Sequence, residues 1–259
     1  MAHDLLIRRA TIIDGSGGAP YVADVAIGGE RIVAIGDLDS EVATAREVVE
    51  AEGLTLTPGF IDVHTHDDTN VIRTPTMLPK LSQGVTTVVV GNCGISAAPV
   101  RLDAEVPDPM NLLGDIEDFV YPSFAAYAQA VDEARPAVNV AALVGHTSLR
   151  SQVMDDFSRA ASDGEVALMR DALEKALAQG AIGLSSGLAY RNAFQAPASE
   201  MAPLVAAVGS AGGIYTTHLR DEFAGQAAAM DEAFATAERG RAALVISHLK
   251  CAGAGNWGQ

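Results

Sequence analysis

The fold of this chain is decided by the stretch Gly59-Phe60-Ile61-Asp62-Val63-His64-Thr65-His66. Its apolar residues predict a buried strand that stops at the two histidines. Side chains alternate between the two faces of a strand, so His64 and His66 point the same way, about 7 Å apart. Neutral imidazoles bind zinc and related divalent metals. The pair therefore predicts half of a metal site, and the alternative is two surface polar residues at a strand end.

Composition and charge narrow the class of protein. The chain has 259 residues, a hydrophobic content of 49% and a formal net charge of −16. The negative charge argues against nucleic acid and anionic membranes as partners, because both need a basic surface. No apolar run approaches the roughly 18 residues of a membrane span, and the N-terminus is unlike a signal peptide, so we expect a soluble, cytoplasmic protein. Two cysteines, Cys93 and Cys251, are too few for a disulfide framework.

Residues 1–57 are predicted to form a small, partial β-sandwich domain. Short runs of strand-forming residues alternate there with Gly-rich turns, and Pro58-Gly59 closes the module. Strands are expected at residues 4–9, 10–14, 22–27, 31–35, 46–49 and 54–57.

Residues 58–259 follow a different pattern, in which strand, loop and helix repeat. The strand-like runs are continuously apolar, as expected of parallel strands covered on both faces. Such alternation favours a parallel α/β fold, either a doubly wound sheet or a (β/α)8 barrel. Strands are expected at residues 60–63, 85–90, 138–144, 181–184, 213–217 and 243–247. Helices are expected near residues 77–82, 124–133, 165–178, 200–208 and 224–238, the third after a capping box at Ser162-Asp163-Gly164-Glu165.

The polar residues at the strand ends favour the barrel. Five of the six histidines lie at the carboxyl ends of predicted strands, and a barrel brings all of these ends to one rim. A doubly wound sheet would usually carry a glycine fingerprint after its first strand, and this chain has none. We therefore predict that residues 58–259 form a TIM barrel. Only strands 1–6 are present, so the sequence looks truncated at Gln259.

Five side chains at this rim form the candidate metal site. Two imidazoles and a thiolate make a tight zinc site. Taken alone, Cys93 would read as a small buried hydrophobe, but beside four strand-end histidines it is assigned as a ligand. Cys251 has no such neighbours and is expected to pack as an ordinary side chain. The candidate ligands are His64, His66, Cys93, His218 and His248.

Other polar residues near the rim leave more than one interpretation open. His146 ends the third strand and is expected to hydrogen-bond a backbone carbonyl rather than bind metal. Asp67 and Asp68 could orient a ligand imidazole, and a solvated loop or a helix cap explains them as well. Asp221 and Glu222 are expected to favour a helix N-terminus.

Four cations lie just past strand ends, at Arg150, Arg191, Arg220 and Lys250. In so acidic a chain they indicate an anionic substrate, because arginine forms a fork for a carboxylate and lysine supplies a point charge. The alternative is that each cation pairs with a nearby acid. Lys250 is the strongest candidate, since it follows His248 by two residues and shares its strand direction.

These motifs resemble those of one enzyme family. One segment of the chain resembles the strand-one signature of the amidohydrolase superfamily: Thr57-Pro58-Gly59-Phe60-Ile61-Asp62-Val63-His64-Thr65-His66. Its N-acyl-D-amino-acid deacylase branch, the D-aminoacylases, resembles this chain over essentially its whole length. The motifs that carry this resemblance are Gln83-Gly84-Val85-Thr86-Thr87-Val88, Gly91-Asn92-Cys93-Gly94, Thr217-His218-Leu219-Arg220-Asp221-Glu222 and Ser247-His248-Leu249-Lys250.

The resemblance implies a zinc-dependent barrel of the metal-dependent hydrolase type. In many relatives a carboxylated lysine bridges two metals, and in this branch a cysteine takes that place. One Zn²⁺ would be bound tightly by Cys93, His218 and His248, and a second, weaker position would lie at His64 and His66.

The implied reaction is hydrolysis of the amide bond of an N-acyl-D-amino acid, a small anionic substrate, to a carboxylate and a free D-amino acid. The substrate-binding candidates are Lys250 and Arg220, with Ala189 and Tyr190 lining the side-chain pocket. The family's general base, an aspartate on the last barrel strand, is expected beyond Gln259, so this chain alone is expected to be inactive.

Two alternatives remain open. A cyclic-amide hydrolase of the dihydroorotase or hydantoinase kind predicts a lysine near the end of strand four, where this chain has Ser185-Ser186. A non-catalytic fragment of the same fold predicts that no metal is bound.

Overall fold

The structure is a computed structural model that describes residues 3–258, without the side chain of Ala43. Met1, Ala2 and Gln259, the residue at which we expected truncation, lie outside the described residues. The chain separates into two compact units, and the second begins at Phe60. The boundary expected from the sequence lies two residues earlier.

The first unit contains one mixed β-sheet. Its strands are β1 (His3–Ile12), β2 (Tyr21–Gly28), β3 (Arg31–Gly36), β4 (Ala45–Glu50) and β5 (Thr55–Leu56), and a 3-10 helix spans Asp39–Thr44. The order is β3-β2-β1-β4, with β5 also paired to β1. β1 runs antiparallel to β2 and parallel to β4 and β5.

This unit differs from the expected sandwich in two respects. The described strands form a single sheet rather than two facing sheets, because alternation of strands and turns in a sequence does not specify which strands pair. Residues 4–14 were expected to form two strands, but β1 runs through most of them as one. One extra residue between Ile7 and Ala10 makes a β-bulge there, where Arg9 has a φ of 54°.

The second unit contains parallel strands in sequence order, with a small antiparallel pair beside them. In chain order the strands are β6 (Phe60–Asp62), β7 (Val85–Val90), β8 (Val100–Arg101), β9 (Val120–Tyr121), β10 (Asn139–Ala142), β11 (Val144–Gly145), β12 (Gly183–Gly187), β13 (Ile214–His218) and β14 (Ala243–Ile246). β8 and β9 form the antiparallel pair.

The parallel strands form two sheets, and one nearly continuous segment of the chain supplies a strand to each of them. One has the order β10-β7-β6 and the other β11-β12-β13-β14. Only Leu143 separates β10 from β11, so the predicted third strand is interrupted. Backbone hydrogen bonds from Leu143 N to Val90 O (3.0 Å) and from Ile182 N to Ala142 O (2.9 Å) continue the pairing on either side. The α/β class is confirmed. No sheet closes among the described residues, so the barrel stays a prediction.

Helices alternate with these strands. They are α1 (Asn70–Arg73), α2 (Leu78–Leu81), α3 (Phe124–Ala134), α4 (His146–Val153), α5 (Asp163–Ala178), α6 (Ala198–Ser210) and α7 (Gln226–Gly240), with 3-10 helices at Met110–Leu112, Ile116–Asp118 and Ala254–Asn256. The capping box before α5 is confirmed, since Ser162 and Glu165 bond each other's backbone N–H. The largest apolar core packs strand residues such as Leu184 and Tyr215 against helix residues such as Leu173 and Leu204.

In the described part of the chain, no helix combines the length and the apolar character that crossing a bilayer requires.

Candidate metal centre

The candidate ligands lie at or just past the carboxyl ends of the parallel strands. His64 and His66 follow β6, and their ring centroids are 5.6 Å apart. Burial, together with the neighbouring His248, lowers the pKa of His64 to about 4. The imidazole is therefore neutral at pH 7, which is the form that binds a metal. Nδ1 of His66 is buried and has no hydrogen-bond partner among the described residues.

Cys93 lies in a tight loop that follows β7. Gly91, Cys93 and Gly94 have positive φ angles of 78°, 55° and 80°. A Cβ atom on Gly91 would overlap the carbonyl oxygen of Leu143, and one on Gly94 would lie 2.6 Å from the backbone nitrogen of Gly187. Glycine alone fits both the backbone angle and the space at these two positions. The Gly-Asn-Cys-Gly segment is therefore fixed by close approach of the backbone.

Two buried side chains anchor the same loop. Asp68 accepts the N–H of Gly91 (3.1 Å) with one carboxylate oxygen and that of Ala97 (3.2 Å) with the other. Ser185 Oγ accepts the N–H of Gly94 at 2.9 Å and donates to the carbonyl oxygen of Gly91. These contacts hold the backbone on both sides of the cysteine. The sequence suggested an imidazole-orienting or capping role for Asp68, and the structure shows that it anchors this loop instead.

The neighbouring Asp67 is also used elsewhere. Its Oδ2 lies 3.0 Å from the ammonium of Lys80, which contacts Asp62 Oδ2 at 2.8 Å. The pair of acids therefore holds a lysine from α2 beside the strand that leads to His64.

The thiol of Cys93 lies between two imidazoles. Its Sγ is 3.2 Å from Nε2 of His64 and 3.4 Å from Nε2 of His248. The three donor atoms lie within 4.8 Å of one another. In a tetrahedral zinc site, Zn–S near 2.3 Å and Zn–N near 2.0 Å place the sulfur and nitrogen atoms about 3.5 Å apart. The donor set therefore has both the chemistry and the spacing of a zinc site.

The two cysteines have different surroundings. Burial raises the pKa of the Cys93 thiol to about 11, so the thiolate that binds metal needs a nearby cation to persist at neutral pH. Cys251 Sγ lies 3.4 Å from Oε1 of Gln226. It belongs to none of the groups of possible ligands found between residues 3 and 258.

His218 and His248 face each other, with ring centroids 4.5 Å apart. His218 is the last residue of β13, and His248 follows β14 with a φ of 34°. Nε2 of His218 lies 3.4 Å from Glu222 Oε2, and its Nδ1 lies 3.3 Å from the hydroxyl of Tyr190. His218, Glu222 and His248 form a second group of donor atoms within 4.8 Å of one another.

The structure thus groups the candidate ligands differently from the sequence expectation. We expected Cys93, His218 and His248 to share the tight position. The structure joins Cys93 and His248 with His64, and it places His218 in the second group with His248. Within the described residues His66 belongs to neither group, although its ring lies beside that of His64.

Glu222 is a site residue that the sequence analysis missed. It was expected to favour a helix N-terminus, but α7 begins four residues later, at Gln226. Its carboxylate is buried, contacts the ammonium of Lys250 and lies 2.8 Å from Nδ1 of His248. A buried charge needs such partners. Its spacing of four residues from His218 was the one available signal in the sequence.

Three of the four candidate substrate-binding residues lie at or beside this cluster. Nζ of Lys250 is 3.1 Å from Nδ1 of His248, and the lysine side chain is 48% exposed. The ring of Tyr190 lies against that of His218, with centroids 4.8 Å apart. Ala189 precedes Tyr190 in the chain and is exposed.

The fourth candidate, Arg220, is fully engaged by other protein groups. Its guanidinium contacts both carboxylate oxygens of Glu232 at 2.7–2.9 Å. It also donates to the carbonyl oxygens of Phe194 and Ala196. The pairing with an acid, which was the alternative interpretation, is what the structure shows. Arg220 is therefore not free to bind a substrate carboxylate.

His146 and Arg150 share one buried carboxylate, that of Glu200. Oε1 of Glu200 lies 2.9 Å from Nε2 of His146 and contacts Arg150, while Oε2 accepts the N–H of Ala161 at 2.9 Å. Burial alone would raise the pKa of Glu200, but these contacts lower it to about 2. The partner of His146 is thus a carboxylate rather than the expected backbone carbonyl, and Arg150 is not free to bind a substrate.

The family of the chain follows from a comparison of its sequence with known families. Residues 47–259 match the model of the amidohydrolase family. The chain belongs to the amidohydrolase family. The matched region of this amidohydrolase includes all five candidate metal ligands.

Relatives of this amidohydrolase confirm the resemblance to D-aminoacylases. An N-acyl-D-aspartate deacylase from Alcaligenes xylosoxydans xylosoxydans is 48% identical over 257 residues, covering 99% of this chain and 51% of the relative. A D-aminoacylase from the same organism is 46% identical over 256 residues, covering 99% and 52%.

A solved structure gives the same result. An N-acyl-D-glutamate deacylase from Bordetella bronchiseptica, complexed with zinc and a phosphonate inhibitor, superposes with a TM-score of 0.95 at 41% identity. The match covers 100% of this chain and 54% of that one. The chain therefore spans about half the length of the relatives it matches.

Proposed function

We propose that this amidohydrolase takes part in the hydrolysis of linear N-acyl-D-amino acids to a carboxylate and a free D-amino acid. The observation that carries the proposal is the thiol of Cys93, which lies at zinc-ligand spacing from the imidazoles of His64 and His248. Relatives named for this activity are 46–48% identical to the chain, which supports the same assignment.

We propose that the five candidate ligands hold zinc. Cys93 and His248 would be central, His64 and His66 would lie on one side, and His218 would complete the tight position. Bound zinc polarises an amide carbonyl and lowers the pKa of a water toward about 7, which makes hydroxide available. A second, weaker position near His64 and His66 remains part of the proposal.

The chain's own residues would bind and orient the substrate. The half-exposed ammonium of Lys250 is placed to bind the α-carboxylate through a charge-assisted contact. The hydroxyl of Tyr190, beside His218, and the exposed Ala189 would line the pocket for the substrate side chain. We infer from the two free cysteines a reducing, cytoplasmic location.

A proton must also reach the departing nitrogen, because an amide nitrogen is a poor leaving group. We propose that an aspartate on a later strand of a complete (β/α)8 barrel carries this proton. On this proposal β6 and β14 pair with further strands in the whole protein. The first unit would be a separate small β-domain.

The two alternatives have less support. A cyclic-amide hydrolase needs a lysine at the end of the fourth strand, where the hydroxyl of Ser185 instead anchors the Cys93 loop. A non-catalytic fragment has no use for a thiol and imidazoles held at ligand spacing.

Zinc analysis of the purified chain tests the metal centre. Wild type and Cys251→Ala should each retain zinc after dialysis, whereas Cys93→Ala should lose it. Retention of zinc by Cys93→Ala, or its absence from wild type, would contradict the proposal.

Activity is tested in a protein of the relatives' full length. Release of free amino acid from N-acetyl-D-amino acids should exceed that from the L-enantiomers and from cyclic imides. Preference for a cyclic imide would support the hydantoinase alternative.

A further inference from the structure

We propose that Glu222 is a positioning residue that selects the tautomer of His248 able to bind metal, by engaging His248 and Lys250 together. The inference rests on the metal centre proposed above. It assigns Glu222 no contact with the metal or the substrate, because its effect passes through the imidazole.

The two ring nitrogens of His248 face different partners. Nε2 lies 3.4 Å from Sγ of Cys93. Nδ1 lies 2.8 Å from Oε1 of Glu222 and 3.1 Å from Nζ of Lys250. A neutral imidazole carries its proton on one nitrogen and a lone pair on the other. Nε2 can therefore bind metal beside Cys93 only when the proton is on Nδ1, and the groups around Nδ1 decide whether it is.

Lys250 and Glu222 have opposite effects on Nδ1. An ammonium has donors only, so Lys250 favours a lone pair on Nδ1 and a proton on Nε2. A carboxylate has acceptors only, so Glu222 favours the proton on Nδ1. Oε2 of Glu222 also contacts the ammonium itself, so the carboxylate competes with Nδ1 for the ammonium donors. Both actions of Glu222 leave Nε2 free to bind metal.

The carboxylate of Glu222 is buried, so it depends on protein donors rather than on water. Glu222 is only 7% exposed, and its buried Oε1 receives no hydrogen bond from the described residues in the present orientation of the rings. A buried acceptor without a donor is costly, and Nδ1 of His248, 2.8 Å from Oε1, would supply that donor when it carries the proton. The N–H of Ala252 donates to the carbonyl oxygen of Glu222 at 2.6 Å, which ties the segment carrying His248 and Lys250 to Glu222.

The competition predicts how a double substitution behaves. In Glu222→Gln, the amide oxygen would turn to Lys250 and the amide NH₂ would face Nδ1, which favours the wrong tautomer. Adding Lys250→Met frees the amide oxygen to accept from Nδ1. The second substitution should therefore restore part of the zinc affinity that the first removes, although each substitution deletes a charged group.

Zinc affinity, measured by competition with a chromophoric chelator on the purified chain, tests this without any turnover. Glu222→Gln should bind zinc about 10–100-fold more weakly, the usual effect of losing a carboxylate behind a ligand histidine. The double variant should bind zinc at least about threefold more tightly than Glu222→Gln, as expected of coupled neighbours. Asp221→Asn, which removes the same charge one residue earlier, should stay within about twofold of wild type.

A ¹⁵N NMR spectrum of the zinc-free wild-type chain reads the tautomer directly. We expect the His248 proton on Nδ1, and this readout does not depend on whether any variant folds. A proton on Nε2, equal zinc affinity of Glu222→Gln and wild type, or a double variant no better than Glu222→Gln would each overturn the inference. If wild type itself bound no zinc, the proposed metal centre would fail, and that result is distinguishable from these.

Discussion

Replacement of Ser185 by alanine tests how the loop that carries Cys93 is held. Ser185 is fully buried, and its hydroxyl accepts the N–H of Gly94 at 2.9 Å and donates to the carbonyl oxygen of Gly91. Alanine would leave this buried N–H and C=O without that partner. Each such loss costs about 1–3 kcal/mol, so loss of both should lower the free energy of unfolding by about 2–6 kcal/mol. Zinc affinity should fall as well, because the loop would no longer hold Cys93 at its φ of 55°.

Ser186→Ala is the matched control, since the next serine is equally buried but contacts different groups. Its Oγ lies 2.8 Å from the hydroxyls of Tyr215 and Thr217, away from the Cys93 loop. It should lose about 1–2 kcal/mol of stability and bind zinc as wild type does. Urea unfolding followed by circular dichroism, with chelator competition for zinc, measures both quantities. A loss below about 0.5 kcal/mol in Ser185→Ala, or equal zinc affinity of the two variants, would refute the reasoning.

Three further substitutions, one of them with a matched control, probe the buried network, the packing of the loop and the substrate-binding cation. Glu200→Gln should lower the free energy of unfolding by about 3–5 kcal/mol at neutral pH, because it leaves a buried arginine unpaired. Folding lowers the pKa of Glu200 from 4.5 to about 2. The stability that its carboxylate contributes is therefore complete above pH 4.5 and is lost as the pH falls toward 2. Urea unfolding curves of the variant and of wild type should converge at that low pH. In Gly187→Ala the new Cβ would overlap the carbonyl oxygen of Cys93, so the melting temperature and the zinc affinity should both fall. Gly164 has open space around it, so Gly164→Ala should be neutral or stabilising by about 0.5–1 kcal/mol. In a full-length protein, Lys250→Met should raise the KM for N-acetyl-D-amino acids about tenfold with little change in kcat, and the matching amide substrate, which lacks the carboxylate, should be unaffected.

Strand positions were predictable where apolar runs are long and bounded by turn residues. The strand at residues 85–90 was predicted with the bounds that β7 has. The third strand was expected to be continuous, but it is interrupted at Leu143, where the chain packs against Gly91. This contact joins segments about fifty residues apart, and hydrophobic periodicity reports only local geometry.

The residue types of the site were predictable, but their pairing was not. Imidazoles and a thiol at strand ends indicate metal chemistry whatever their rotamers. Which donors share a position depends on side-chain orientation, so the grouping of His64 with Cys93 could not be anticipated. Arg220 read as a free cation at the rim because its partner, Glu232, lies twelve residues later on α7. Glu222 was missed because its spacing of four residues from His218, the one signal in the sequence, does not show that its carboxylate is buried.

The backbone angles of Cys93 and His248 set a limit on how this protein can be engineered. Both residues have a positive φ, of 55° and 34°. That geometry costs an L-residue about 1–2 kcal/mol, and glycine adopts it freely. A library selected without zinc, only for survival at high temperature, should therefore accumulate glycine at both positions, and each replacement would discard a metal ligand. Heat tolerance that keeps the metal centre has to be found elsewhere in the chain.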